Sequence, residues 1–451
     1  MAAGAAGIIA SIDPVVGIGL CVAAVGVPLA IATPRSVTYL MVVAVYGQIV
    51  SVHGITVDRA IAPLALVALA AHLLNAPAVR LREARPAFVA VAAYTTIAVA
   101  SLLWTVSISG TINELFSLAI ALTFAGTFAL LPRDDRDVRR LLWTLAVSSL
   151  GLAMVWIGGL IMGVDRTQSA AGDPNFSAAL EATSIPLILA LATSTRSDGK
   201  RFFLYGVVAA DAGAVLAAVS RSGTLTLVTV ILLIALLPSR ALFRSRRHKA
   251  AFFLAAALGA LALLPITWSS LDQRFQRGLH DRAEEPRADL WAAAELGYRQ
   301  HPITGMGFGA FKPNSFQLIS ESPGANLEAH TLFSRRAGEE VHQTYLGTLT
   351  ELGPLGLLLF LVLLVATGHG FVRAARQARG VGNDFLRFVS NGAVLALLAY
   401  VVSANFISAE ISGRILWLLV GFSVLLPTLA STQTSLESGR ESRAAQAASA
   451  V

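Results

Sequence analysis

Apolar stretches long enough to cross a bilayer, about 20 residues each, recur along the whole chain between charged or Pro/Gly-rich breaks. The pattern predicts spans over 15–33, 37–53, 60–77, 87–106, 114–131, 141–163, 177–194, 202–219, 222–238, 251–267, 344–367, 386–404 and 413–430. No soluble domain fits between them. The expected fold is therefore all-α, a polytopic membrane protein of about 12–13 transmembrane helices with one large extracytoplasmic loop that contains short helices. The chain divides into N-terminal transmembrane helices over 1–267, the loop over 268–343, C-terminal transmembrane helices over 344–430 and a polar tail over 431–451, which reads as disordered and cytoplasmic.

Composition narrows this further. With 55% hydrophobic and 14% charged residues and a mean hydropathy of +0.68, the chain lacks the polar surface that a disordered segment, a soluble enzyme or a nucleic-acid-binding protein needs. The formal charge of +7, from 34 Lys and Arg against 27 Asp and Glu, sits mostly in short loops. Basic clusters around Arg80, Arg139, Arg201, Arg244 and Arg376 fall in alternate connections, which predicts that those loops are cytoplasmic and that the chain is a multi-pass protein of the cytoplasmic (inner) membrane. Cys21 stands alone, so no intrachain disulfide and no cysteine-based metal cluster forms. The N-terminal segment lacks a basic region and is expected to be retained. Its sidedness depends on whether 15–33 counts as a full span.

The remaining connections then face outward, and they hold the polar residues of interest. An outward arginine runs against the topology bias, so each asks for a chemical reason. In 164–178, Asp173-Pro174 opens a turn and Asn175 is placed to cap the next helix, whereas nothing about the turn requires Arg166. Ser220-Arg221-Ser222 separates two apolar runs by almost nothing. Arg221 reads either as a snorkelling anchor or as a phosphate clamp, since guanidinium presents forked donors and stays charged when partly desolvated.

Residues 286–302 form a short helix opened by Pro286, with Arg287 and Trp291 on one face and Trp291 and Tyr298 as interfacial aromatics. A cation at a helix start is electrostatically poor unless an anion lies near. Gly305-Met306-Gly307-Phe308-Gly309 follows a helix and lacks dinucleotide-binding spacing, so it reads as a turn and not as a nucleotide loop. Next, Glu339-Glu340-Val341-His342 leads into a long span. His342 is either structural or a base whose tautomer the two carboxylates hold, and imidazole suits removal of a hydroxyl proton near neutral pH. His301, His330 and His342 have no metal-ligand spacing, and no metal or cofactor is expected. Within the spans, Glu181, Asp211 and Glu351 each read as a packing pair, a proton site or part of a cavity.

The order Arg287-x-x-Leu290-Trp291, then His301-Pro-Ile-Thr-Gly-Met-Gly-Phe-Gly-Ala-Phe311, then Val341-His-Gln-Thr-Tyr-Leu-Gly-Thr-Leu-Thr-Glu-Leu-Gly-Pro-Leu-Gly-Leu-Leu-Leu-Phe360 resembles the O-antigen ligase and O-antigen polymerase superfamily. The Arg166 to Asn175 and Ser220-Arg221-Ser222 segments look like that family's earlier motifs. In place of the family's more frequent His-Asn, this chain has His342-Gln343.

The resemblance implies a metal-independent, inverting glycosyltransferase that takes glycan from a polyprenyl-pyrophosphate carrier, its active site on the extracytoplasmic side. It assigns Arg221 and Arg287 to the pyrophosphate and His342 to the acceptor hydroxyl. Arg166, Asn175, Trp291, Glu340 and Tyr345 become substrate-binding positions. Implied partners are the lipid-linked glycan donor, a saccharide or lipid acceptor, membrane lipids and other envelope-biosynthesis proteins, with no nucleic acid.

Two other classes compete. A secondary transporter of a small anion would use Glu181, Asp211 and Glu351 inside the membrane, although no inverted repeat is visible. A peptidoglycan polymerase of the shape and division type would rest on an acidic loop residue such as Asp281, Asp289 or Glu340.

Overall fold

A computed structural model describes residues 26–47, 51–52, 55–75, 85–163, 173–250, 252–254, 286–325, 338–408 and 413–449. Its principal helices are α1 (Pro34–Gly47), α2 (Val57–Asn75), α3 (Arg85–Ala100), α4 (Ile108–Leu130), α5 (Asp135–Ile161), α6 (Pro174–Ser194), α7 (Asp198–Ala217), α8 (Arg221–Leu236) and α9 (Ser239–Leu242). They continue as α10 (Pro286–Gln300), α11 (Phe311–Glu321), α12 (Thr344–Gly380), α13 (Asp384–Ser403) and α14 (Arg414–Ser449). A two-residue antiparallel pair, Ser51–Val52 with Ile55–Thr56, precedes α2. The fold is the expected all-α polytopic membrane protein.

Eight of these helices are long and apolar enough to cross a membrane: α2 to α6 and α12 to α14. Helix α3 reaches that length through a 3-10 turn that extends it to Leu103; α7 has the length, but Asp198, Lys200 and Arg201 open it and Asp211 interrupts it, and α8 is apolar but has 16 residues. The expected 37–53 span is instead the 14-residue α1 followed by the strand pair. At about 1.5 Å per residue such a helix falls short of a roughly 30 Å core. Most of the 15–33 and 251–267 candidates, with Cys21, lies outside the described residues.

Helix α6 is the central element. Its span is 94% buried, and it packs on α5, α7, α8 and α13. Small residues explain this, because lipid cannot drive helices together and close backbone approach must do so. A Cβ on Gly392 of α13 would come within 2.7 Å of the Pro186 carbonyl, and one on Gly223 of α8 within 2.4 Å of Ala178 Cβ.

The helix ends sort into two faces. At one, Arg35 pairs with Asp137 at 3.7 Å, Asn383 donates to Asp135 Oδ2 at 2.7 Å and Arg139 stacks over Phe385 at 4.1 Å. The basic turns gather here. At the opposite face lie the starts of α2, α4, α6, α8, α12 and α14, together with α10 and α11. A small second core of Leu290, Ala293, Ala294, Met306, Phe311, Leu318 and Val341 packs these two short helices onto the start of α12.

The tail departs from expectation. The residues after Ala430, which read as disordered, extend α14 as helix to Ser449. Their Ala, Glu, Gln and Arg content is helix-forming, and the preceding span supplies a ready nucleus.

Candidate functional site

Two turns at the face opposite the basic clusters carry most of the candidates. In the first, Asp173 Oδ1 accepts from the N–H groups of Asn175 and Phe176 at 2.7 and 3.0 Å. The cap of α6 is therefore Asp173, with Pro174 at the first helical position, and not Asn175 as its sequence position suggested. Asn175 is released for another contact. Its Oδ1 accepts from Ser220 Oγ at 2.8 Å, and Ser220 in turn caps α8 by accepting from Gly223 N at 3.1 Å. Arg221 opens α8 directly after this cap, so the 173–176 and 220–223 segments form one polar cluster. Val219, just before it, is held at φ 47°. Arg166 lies outside the described residues.

In the second turn, His342 sits at φ 54° with its N–H donating to Ser408 Oγ at 2.9 Å. Gln343 then caps α12, its Oε1 accepting from Leu346 N at 2.6 Å, and Thr344 N donates to the Ala404 carbonyl at 2.8 Å. Of the two carboxylates beside it in the chain, Glu340 Oε1 pairs with Lys312 Nζ at 3.1 Å, and the Glu339 backbone N–H donates to Ser315 Oγ. Tyr345 donates its hydroxyl to the Val401 carbonyl at 2.8 Å and packs against Phe360, which makes it a brace between α12 and α13.

Arg287 opens α10 and is half-buried, with Trp291 one turn on and 39% exposed. The glycine-rich run docks this unit onto α12. Met306 N and Gly307 N donate to the carbonyls of Thr350 and Glu351 at 2.9 and 2.8 Å. Gly309 N and Phe311 N donate to the Glu351 carboxylate at 2.8 and 3.2 Å. Gly305, Gly307 and Gly309 all have positive φ, and a Cβ on Gly305 would lie 2.4 Å from the Glu351 carbonyl. The run is thus a docking turn, and Glu351 is the acceptor that fixes it.

Beside this turn opens a cavity of about 580 Å³. Among the predicted residues that are described, Glu340 and Glu351 line it, together with Val341 and Ser408 next to His342. Its remaining polar wall is Asp58, Arg59, Asn113, Glu114, Lys312 and Arg414. Arg414 is 4% exposed, and its Nε donates to Asp58 Oδ2 at 2.8 Å. Arg59 and Arg414 escaped the motif reading, yet the rule that flagged Arg166 and Arg221, an arginine on the face away from the basic loops, applies to both.

With that geometry in view, comparison with known families gives one match. Residues 206–361 match the O-antigen ligase family model. The match covers about a third of the chain and supports the O-antigen ligase and polymerase superfamily. It contains Arg221, Arg287, the glycine turn and His342, and it leaves out Arg166, Asn175 and the Asp58, Arg59, Glu114 and Arg414 wall of the cavity. No curated protein matches the chain. The matched region supports a glycan-transferring enzyme, in a family that implies a lipid-linked glycan donor and an acceptor.

Proposed function

We propose that the chain is a metal-independent, inverting glycosyltransferase that polymerises or ligates glycan from a polyprenyl-pyrophosphate donor on the outer face of the cytoplasmic membrane. One observation carries the reading. Among the described residues, the non-glycine positions held at positive φ are Val219 and His342. One lies two residues before Arg221 and the other is the candidate base. Such backbone costs of order 1–3 kcal/mol and persists where the surroundings over-determine it, commonly at functional sites.

In this mechanism Arg221 and Arg287 hold the pyrophosphate. The acceptor oxygen attacks the anomeric carbon as the bond to the phosphate oxygen breaks. The bonding pair leaves on the pyrophosphate, where guanidinium charge stabilises it in a partly dehydrated site. The hydroxyl proton passes to the His342 imidazole, and single displacement inverts the anomeric configuration. The basic turns at the opposite end support an outward-facing site. Arg166, Asn175, Trp291 and Glu340 would contact the donor or acceptor, with Tyr345 bracing the turn.

The test is transfer of a labelled polyprenyl-linked glycan in proteoliposomes. Arg221→Ala, Arg287→Ala and His342→Ala should each lose transfer, His342→Ala by about 10²-fold or more, while still inserting and folding. Full transfer by His342→Ala would remove the proposed base. A second reading, anion transport, is favoured by Glu181 and Asp211, both fully buried on adjacent helices α6 and α7. Uptake of a labelled anion without any glycan product would select it.

A further inference from the structure

The opposite end of the bundle holds a second concavity, of about 560 Å³, that no part of the proposed transfer reaction uses. Its volume falls among those of small-molecule sites, roughly 300–1,000 Å³. Arg139, Arg196, Arg240, Arg244 and Arg387 line it, with Asp384 as the one carboxylate in its wall. These arginines come from four separate stretches of chain: the start of α5, the α6–α7 turn, the segment around α9 and the start of α13. The net charge of the lining is strongly positive.

Membrane sidedness explains why arginines collect at this end, but not why five converge on one hollow. The floor is aromatic: Phe243, Phe385 and Phe388 line it, Arg139 stacks over the Phe385 ring at 4.1 Å and Arg387 over the Phe388 ring at 5.0 Å. Both guanidinium planes are thereby held in place with edges left for an anion. Arg387 spends one edge on Asp384 at 2.7 Å, while Arg139 and Arg244 reach Ser194 only at 3.5 Å. Asn383, also in the wall, donates to Asp135 and Gln433 at 2.7 and 2.8 Å, and Asp135 offsets part of the Arg139 charge, so two carboxylates stand against five guanidinium groups. Like charges this close repel unless an anion lies between them.

We propose that this hollow binds a phosphate-bearing anion of two or more negative charges in total, as carried by a membrane lipid headgroup with two phosphates or by a soluble diphosphate. Planar forked donors from several elements match phosphate oxygens, and basic pockets between membrane helices on the cytoplasmic side suit such headgroups. The ligand would lock the α5, α6, α9 and α13 ends together.

The whole protein is placed in neutral phosphatidylcholine nanodiscs, and its thermal unfolding is followed with cardiolipin added in one arm and inorganic pyrophosphate in the other. A saturable rise in Tm with either probe is expected, and the responding arm names the source. The double variant R139Q/R244Q should weaken that binding by roughly tenfold per arginine or more. R136Q/R246Q, which removes two exposed arginines at the same end outside the hollow, should not. If R139Q/R244Q fails to fold, R196Q/R240Q takes its place, since both of those side chains are exposed. No Tm shift with either probe, or an equal loss of binding in R136Q/R246Q, overturns the proposal. Glycan transfer at the other end is measured in parallel, so loss of one activity without the other separates this site from the proposed transferase.

Discussion

Glu351 is the residue whose removal the structure prices most clearly. Its carboxylate accepts from Gly309 N and Phe311 N at 2.8 and 3.2 Å, so it joins the glycine turn and the uncapped start of α11 to the interior of α12. Hydrogen bonds to a charged acceptor contribute about 1.5–3 kcal/mol each, and the low end applies where a cavity admits water. Glu351→Ala should therefore free the turn by about 3 kcal/mol, and Glu351→Gln, which keeps one acceptor oxygen, by about half of that. Two backbone bonds to α12, from Met306 N and Gly307 N, and one from Phe308 N to Ser101 Oγ also hold the turn, so the expected effect is local opening and not global unfolding. Hydrogen exchange of a peptide covering 304–312 reads it directly. Its amides should exchange about a hundredfold faster in Glu351→Ala, with an intermediate gain in Glu351→Gln, while peptides from α6 stay protected. Exchange at the native rate in both variants would refute the account of Glu351 as the anchor.

Other expectations are more quickly stated. Arg414→Met and Asp58→Asn each leave a buried partner without its counterion and should destabilise by about 3–5 kcal/mol, whereas the double change Arg414→Met with Asp58→Leu should recover much of the loss in thermal unfolding. Gly353, at φ 67° with its Cβ position 2.3 Å from the Ile303 carbonyl, should not accept Ala without a drop in Tm and in folded yield, so a native-like melt would contradict the docked geometry. His342→Gly relieves the left-handed backbone, worth about 1 kcal/mol, while removing the imidazole. Stability should hold or rise while initial transfer rates collapse, and retained transfer would assign the position to backbone shape alone.

Much of this was legible in the chain. Hydropathy marked all eight membrane-length helices, though it also marked 37–53, 202–219 and 222–238, because crossing lipid is a requirement on contiguous residues, and charged turns mark one face for the same local reason. The motif order pointed to the family later matched over residues 206–361. What escaped was contact between distant segments. Asn175 looked like a cap until Asp173 took that role and left it to Ser220, and Glu340, adjacent to His342 in the chain, pairs with Lys312 from α11.

Sequence alone thus determined an all-α membrane bundle, its two faces and the stretches that carry the candidate chemistry. Only the tertiary structure decided that Arg414 meets Asp58 across 356 positions, that Glu351 anchors a glycine turn 42 residues earlier, and that five arginines share one hollow. The reason is physical: a charge in a low-dielectric interior must find a partner, but which partner depends on how the helices pack, and no local run of residues encodes that.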